Sequence, residues 1–317
     1  MYFPVSGVEV SPIIPFAVAF VVSFFTSMGG VSGAFLLLPF QVSVLGFTSP
    51  AVSSTNLVYN IVAIPSGVYR YIKEGRMAWP LAWVIIVGTL PGVVIGAIVR
   101  IKYLPDPKHF KFFAGCVLLY IGARLLYGLT GKGGSNSVKT KELEERFNKR
   151  ASQLRNGAGS SDKHEALVKT VNFSLTNYTY SFYGETFSFN TVSLFALTFV
   201  VGIVGGVYGI GGGAIIAPFL VAFFGLPVYT IAGAALLGTF VTSVAGVIVY
   251  SVIGLYFSGT GLAIAPDWAL GALFGAGGFA GMYLGARLQK YMPAKVIKVI
   301  LALAITFLAV KYIAGIF

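Results

Sequence analysis

The sequence predicts an all-α polytopic membrane protein made of two homologous repeats, with glycine-broken helices and about eight to ten membrane-embedded helical segments. Three observations carry that expectation. Charged residues make up 10% of 317 residues, where a soluble domain carries about 25%, and mean hydropathy is +0.85. Eight apolar stretches are long enough to enter or cross a bilayer. The apolar sequence also repeats itself. Fifteen of the 32 charges fall in one stretch, Thr130–Asn190. The rest is too apolar for a soluble enzyme, a nucleic-acid-binding module or a disordered protein. The net charge of +12 comes from basic residues flanking apolar runs, as beside lipid head groups. The single cysteine, Cys116, excludes an intrachain disulfide and a cysteine metal site. The N-terminal MYFPVSGVEV lacks the basic region of a cleaved signal.

Six stretches have the length of a single crossing: Ser49–Tyr69, Trp79–Val99, Phe112–Leu129, Tyr229–Tyr256, Trp268–Leu288 and Val296–Phe317. Two others, Ile13–Leu45 and Ser193–Phe224, would reach about 50 Å as straight helices, too long for one crossing and too short for two. Both contain glycine clusters, Met28–Gly33 and Gly205–Gly213, followed by Pro39 and Pro218. Each is expected to form two half-length helices meeting at a break. The chain divides into a first membrane repeat (1–129), a hydrophilic loop (130–190) and a second repeat (191–317). In the loop, Lys139–Arg155 reads as a surface helix, Asn156–Ser161 as a linker, and the alternation of Val168–Phe189 as a β-hairpin turning at Tyr183-Gly184-Glu185.

A shift of 179 residues lays Gly30–Tyr71 on Gly209–Tyr250 without a gap, placing GVSGAFLLLPF on GIGGGAIIAPF. A shift of 189 lays Gly88, Gly92 and Gly96 on Gly277, Gly281 and Gly285. Duplication with interrupted segments at matching positions is the mark of a secondary transporter. If each broken segment enters and returns to one side, the halves are inverted; if it crosses, they are parallel. Lys/Arg counts do not separate the two, and segment length favours inversion. The most basic connection, the 130–190 loop, then lies in the cytoplasm.

Irregular backbone at membrane depth must be buried in protein or line a cavity. A helix starting there aims N–H groups and partial positive charge at that point, which suits an anion. The candidate binding residues are therefore Gly29, Gly30, Ser32 and Gly33 in the first break and Tyr208, Gly209, Gly211, Gly212 and Gly213 in the second. Ser54, Thr55, Asn56 and Asn60 on the following helix, and Thr239 and Thr242 at matching depth, add neutral donors. Asn56 and Asn60, four residues apart, share a helix face. Interhelical hydrogen bonding competes as an explanation for these polar groups, and helix packing for Gly88/Gly92/Gly96. The second cluster lacks the Lys-Ser/Thr of a P-loop.

No Asp, Glu or His lies within any of these stretches, which argues against a cation pump, carboxylate proton coupling, a metal site and a membrane enzyme. Arg124 is the one charge well inside a stretch, placed to snorkel.

The segments Gly29–Pro39 and Gly205–Pro218, each followed by a polar or small-residue helix (SSTNLVYN, AGAALLGTF), resemble the TauE/SafE sulfite exporter family, also called the toluene-sulfonate uptake permeases. The resemblance spans both halves and omits Thr130–Asn190. It implies a permease in the cytoplasmic membrane moving sulfite or organosulfonates, with no cofactor. Ser32 and Ala34 stand where the second copy has Gly211 and Gly213, a departure from equal halves. The expected partners are a small sulfur anion and the lipid bilayer, with no nucleic acid; a homo-oligomer is left open. Export leads. The alternatives are coupled uptake and a non-transporting scaffold or accessory subunit.

Overall fold

A computed structural model describes residues 1–129, 168–174, 176–182, 185–257, 259, 262–292 and 294–314. The surface helix and linker expected at 139–161 lie outside the described residues, as does the Arg124 side chain. Ten α-helices dominate the described residues: α1 (Ile13–Met28), α2 (Ala34–Ser43), α3 (Ala51–Lys73), α4 (Trp79–Tyr103), α5 (Pro107–Leu129), α6 (Thr191–Tyr208), α7 (Ile216–Phe224), α8 (Val228–Tyr256), α9 (Trp268–Leu288) and α10 (Ala294–Ala314). A 3₁₀ turn, Gln289–Tyr291, precedes α10. Large apolar side chains such as Val21, Trp83, Leu255, Phe279 and Phe307 are exposed on the helices, as expected of a surface solvated by lipid chains.

All six single-crossing stretches are helical, and both long stretches break at glycine. The arms are unequal, however. The leading arms, α1 and α6, have 16 and 18 residues and reach about 24 and 27 Å; the trailing arms, α2 and α7, have 10 and 9 and reach about 15 Å. The expectation of two half-length helices is corrected to a near-full helix followed by a half helix. Among the described residues four helices qualify as spans by length and hydropathy: α4, α6, α8 and α9. α3 has the length but carries Ser53-Ser54-Thr55-Asn56 and Asn60, all buried inside the protein.

Glycine contacts set the helix directions. A Cβ on Gly277, Gly281 or Gly285 of α9 would strike the carbonyl oxygens of Phe16, Phe20 and Phe24 of α1. The numbers rise together, so α1 and α9 run in the same sense. Gly88, Gly92 and Gly96 of α4 face the carbonyls of Phe195, Phe199 and Ile203 of α6 in the same way. Gly271 and Gly275 of α9 face Thr55 and Val62 of α3, and Gly238 and Gly246 of α8 face Ile85 and Val93 of α4. In contrast, Gly233 and Gly246 of α8 face Tyr71 and Leu57 of α3, an opposed pair. Helices α1, α3 and α9 therefore point one way, and α4, α6 and α8 the other. The main helix contacts are reciprocal between halves: α1·α9 with α4·α6, α3·α9 with α4·α8, α2·α3 with α7·α8.

The loop region forms a three-stranded antiparallel sheet, β3 (Lys169–Phe173), β4 (Asn177–Phe182) and β5 (Glu185–Asn190). The expected hairpin is its β4–β5 pair; the third strand arises because Ser174–Asn177 makes a further turn, with Ser174 Oγ accepting from Asn177 N at 2.9 Å. The sheet docks on one end of the bundle, where the Tyr180 hydroxyl lies 2.9 Å from Thr230 Oγ1 and Val168 N reaches Gly75 O. Burial raises the hydroxyl of Tyr178 to about 12 and that of Tyr180 further still. At the opposite end a short N-terminal hairpin, β1 (Tyr2–Phe3) and β2 (Val8–Glu9), docks through Ser6 Oγ, which donates to Asp267 Oδ2 at 2.9 Å. Asp267 also caps α9, its Oδ1 accepting from Leu270 N.

Candidate functional site

The two glycine breaks meet at the centre of the bundle. In the first, Gly29 ends α1 and Gly30 turns with φ +68° directly against Ala232 of α8. In the second, Gly209 ends α6 with φ +73° and Gly211 continues with φ +82°. Left-handed backbone suits glycine, and the close neighbours leave no room for a Cβ. One at Gly209 would strike Ser53, one at Gly212 would come within 2.5 Å of Thr89 Cβ, and one at Gly213 within 2.6 Å of Thr239 N. Residues Gly30–Phe35 and Gly205–Pro218 are all buried.

The chain turns back at the first break. α1 runs along α3 in the same sense, with Ser23 Oγ 2.7 Å from the Tyr59 hydroxyl and the Tyr71 hydroxyl donating to Ser27 O at 2.9 Å. Past the break the order reverses: Ser32 bonds Asn60 while Ala34 bonds Asn56. The second half repeats one of these contacts at a shift of 179, since the Tyr250 hydroxyl donates to Gly206 O at 3.1 Å.

Asn56 and Asn60 bind the two breaks to each other. Asn60 accepts from Ser32 Oγ in the first break, and its amide donates to Ile210 O at 2.8 Å in the second and to Ser243 Oγ at 3.0 Å on α8. Asn56 donates to Ala34 O at 2.9 Å and to Gly209 O at 3.2 Å, while its own oxygen accepts from Gln41 Nε2. A further bond crosses between the halves. Pro39 has no N–H, so it cannot serve the Phe35 carbonyl four residues before it. The Tyr208 hydroxyl donates to Phe35 O instead, at 3.1 Å.

The remaining expected site residues divide into two groups. Thr239 and Thr242 border the second break: Thr242 Oγ1 accepts from Gly212 N at 3.0 Å, and Thr239 lies against Gly211 and Gly213 while its hydroxyl donates to Ala235 O. Gly33 of the first break lies against the Tyr59 hydroxyl. Ser54 and Thr55 take no part in these bonds. Ser54 Oγ donates to Ile264 O at 2.7 Å and Thr55 Oγ1 accepts from Asp267 N at 2.9 Å, so both fasten the connection before α9.

Several buried residues at the site escaped the sequence reading. Gln41 completes the asparagine network, alongside Ser243, which stands with Thr239 and Thr242 on α8 and was legible with them. Tyr71 and Tyr250 were visible as a matched pair in the repeat. The view that Arg124 is the one charge well inside an apolar stretch is corrected: Lys311 lies inside Val296–Phe317 as well, and α4 continues to Tyr103 with Arg100 fully buried on it. Arg76, between α3 and α4, is buried too and bonded to Glu74, Gln289 and the Ala286 carbonyl. Asp106, the acid nearest Arg100 in sequence, is exposed. Its Oδ1 accepts from Lys108 N and His109 N, and the His109 bond foremost holds its carboxyl below the usual range.

The first break lies against the start of α7, where a Cβ on Gly30 would meet Ala217 Cβ at 3.5 Å, and the N-terminus of such a helix carries partial positive charge. The carbonyls of Ala34, Phe35, Gly209 and Ile210, which would repel an anion there, are engaged by Asn56, Tyr208 and Asn60. None of the ten helices contains Asp or Glu.

The family model described as Sulfite exporter TauE/SafE matches residues 15–312, both membrane halves and the sheet between them. No curated protein and no solved structure matches the chain significantly. That match covers nearly the whole chain and agrees with a multi-pass helical membrane protein. The protein belongs to the TauE/SafE sulfite exporter family, membrane transporters of sulfite or related anions.

Proposed function

We propose that this chain is a secondary permease that exports a small sulfur-containing anion, sulfite or an organosulfonate, held between the two glycine breaks. The observation that carries the reading is Asn60. One side chain holds Ser32 of the first break and Ile210 of the second, so the positive ends of two half helices are fixed around one point. The two halves act as inverted repeats. The opposed directions of α1 and α6, and the equal spacing of Tyr71–Ser27 and Tyr250–Gly206, support this. The end bearing the sheet faces the cytoplasm, since the sheet belongs to the most basic connection in the sequence.

The test is flux through proteoliposomes of the full chain, using labelled sulfite, sulfate and an arylsulfonate at a membrane potential set in either direction. Sulfite or the arylsulfonate should cross, with sulfate slower. Sulfite flux no faster than in empty liposomes, together with no arylsulfonate flux, defeats the permease reading and promotes the scaffold.

A further inference from the structure

A buried charge normally has a partner, because leaving one unpaired in a low-dielectric interior costs far more than one hydrogen bond returns. Arg76 obeys this rule. Its guanidinium lies over the Tyr71 ring, and its terminal nitrogens meet the Glu74 carboxylate, Gln289 and the Ala286 carbonyl. Arg100 does not. It is fully buried, and among the described residues it has no carboxylate partner within 4.0 Å. Its plane is held 3.9 Å from the centre of the Phe110 ring and its Nη1 is tied to Leu104 O. The other edge, Nε and Nη2, meets no hydrogen-bond acceptor among the described residues. That edge is the two-pronged side of the guanidinium, matched to two oxygens of one oxyanion.

The surroundings point the same way. Gly96, one turn before Arg100, lies against Gly206 and Val207, which places Arg100 beside the end of α6 where the second break begins. Tyr250, whose hydroxyl bonds Gly206 O, has both Arg100 and Ser53 as polar neighbours. Ser53 is fully buried against Gly209, and its hydroxyl meets no hydrogen-bond partner at normal distance. Arg100, with its unpaired edge, and the buried Ser53 hydroxyl thus flank one tyrosine next to the break. The position 189 residues on from Arg100 is Gln289, a neutral residue bonded to Arg76. The cation at one end of the bundle is neutralised by the protein, and the cation at the other end is not.

We propose that Arg100 forms a second anion-binding site, separate from the point between the breaks and on its side away from the sheet, taking a singly charged oxyanion across its Nε–Nη2 edge with Ser53 as a neutral donor. Calling that oxyanion a sulfite or sulfonate rests on the transport reading; the site itself requires only two oxygens on one face and one negative charge. Under the export reading it receives the anion as it leaves the breaks.

The experiment measures thermal unfolding of the full chain in nanodiscs of neutral phosphatidylcholine, with and without methanesulfonate, sulfite or chloride. Binding to the folded state alone raises Tm. Methanesulfonate and sulfite should raise the wild-type Tm by several degrees, and equal chloride by less. Arg100→Gln should lose the shift, with a Tm without anion no lower than wild type because an unpaired buried charge has gone. Arg100→Lys, which keeps the charge without the fork, should keep under half of the shift.

An unchanged shift in either variant, or none in the wild type, overturns the proposal. So does a marked fall in the anion-free Tm of Arg100→Gln, since the guanidinium would then be structural. If Arg100→Gln does not fold, Arg100→Lys decides alone. A wild-type stabilisation that appears only with phosphatidylglycerol in the disc assigns the edge to a lipid phosphate and also overturns the free-anion site. Flux separates this from the transport reading: an Arg100-dependent shift without sulfite flux leaves the site standing and defeats the permease.

Discussion

The Tyr208 hydroxyl, from the end of one leading arm, donates to the Phe35 carbonyl on the trailing arm of the other half, 3.1 Å away. The bond exists because Pro39 cannot make it. Tyr208→Phe should leave a buried carbonyl unpaired and lower stability by about 1–3 kcal/mol. Pro39→Ala supplies an N–H four residues on, so adding it to Tyr208→Phe should recover part of the loss. Chemical unfolding of both single variants and the double variant in detergent measures the coupling, expected at about 0.5–3 kcal/mol. Additive effects would mean that Pro39 does not create the need for Tyr208.

Asn60 is the next position to test. Asn60→Leu leaves Ile210 O, Ser243 and Ser32 short of a partner, and Asn60→Asp keeps the shape but removes both donors. Both should abolish sulfite flux. Ser66→Ala also loses hydrogen bonds, one within α3 to Ala63 O and one between helices to Phe279 O, but away from the breaks. It should cost about 1 kcal/mol and leave flux near wild type. Similar flux in Asn60→Asp and Ser66→Ala would reduce Asn60 to ordinary packing.

Glycine substitutions separate backbone conformation from space. Gly46 and Gly211 both have positive φ, +70° and +82°. A Cβ at Gly46 meets nothing within 4 Å, whereas one at Gly211 meets Ser243 Oγ at 2.8 Å and Thr239. Gly46→Ala should cost only the backbone strain, about 1–2 kcal/mol, and keep flux. Gly211→Leu should stop flux while the protein still enters the membrane. Gly92→Leu should instead reduce the amount of folded protein, because Gly92 sits against the Phe199 carbonyl in the α4–α6 contact. Sulfite uptake normalised to protein recovered by gel filtration distinguishes these outcomes.

The breaks were legible because glycine and proline constrain the backbone locally. Gly30, Gly209 and Gly211 hold their left-handed turns wherever the rest of the chain lies. The partners of hydroxyls were not legible. Nothing near Ser54 tells that its acceptor is Ile264 O, 210 residues away, whereas Asn60 lies within reach of its own half's break. Arg100 was missed because an apolar window ends at Val99 while hydrogen bonding carries α4 on to Tyr103. The N-terminal hairpin, with strands of two residues each, is too short to show alternation.

The helix directions predict sidedness. Gly46 follows α2 and Gly225 follows α7, at opposite ends of the bundle under the inverted arrangement. Cysteines introduced at these positions in a Cys116→Ala background should react with a membrane-impermeant maleimide from opposite sides, Gly225 from the side of the sheet. Labelling of both from one side would establish parallel repeats.

The driving force is the last prediction. One unit charge crossing a membrane potential changes free energy by about 2.3 kcal/mol per 100 mV, so an interior-negative cell expels a singly charged anion without a coupling ion. Coupled uptake would have to overcome that term by carrying cations inward. A cation site at membrane depth usually includes a carboxylate, and none of the ten helices contains Asp or Glu. Backbone carbonyls can hold Na⁺ at a broken helix, but those of Ala34, Phe35, Gly209 and Ile210 already accept hydrogen bonds. Efflux of sulfite from proteoliposomes should therefore persist with Na⁺ and pH equal on both sides, rise with an interior-negative potential set by K⁺ and valinomycin, and fall when the potential is reversed. Flux that required an inward Na⁺ or proton gradient would replace export with coupled uptake.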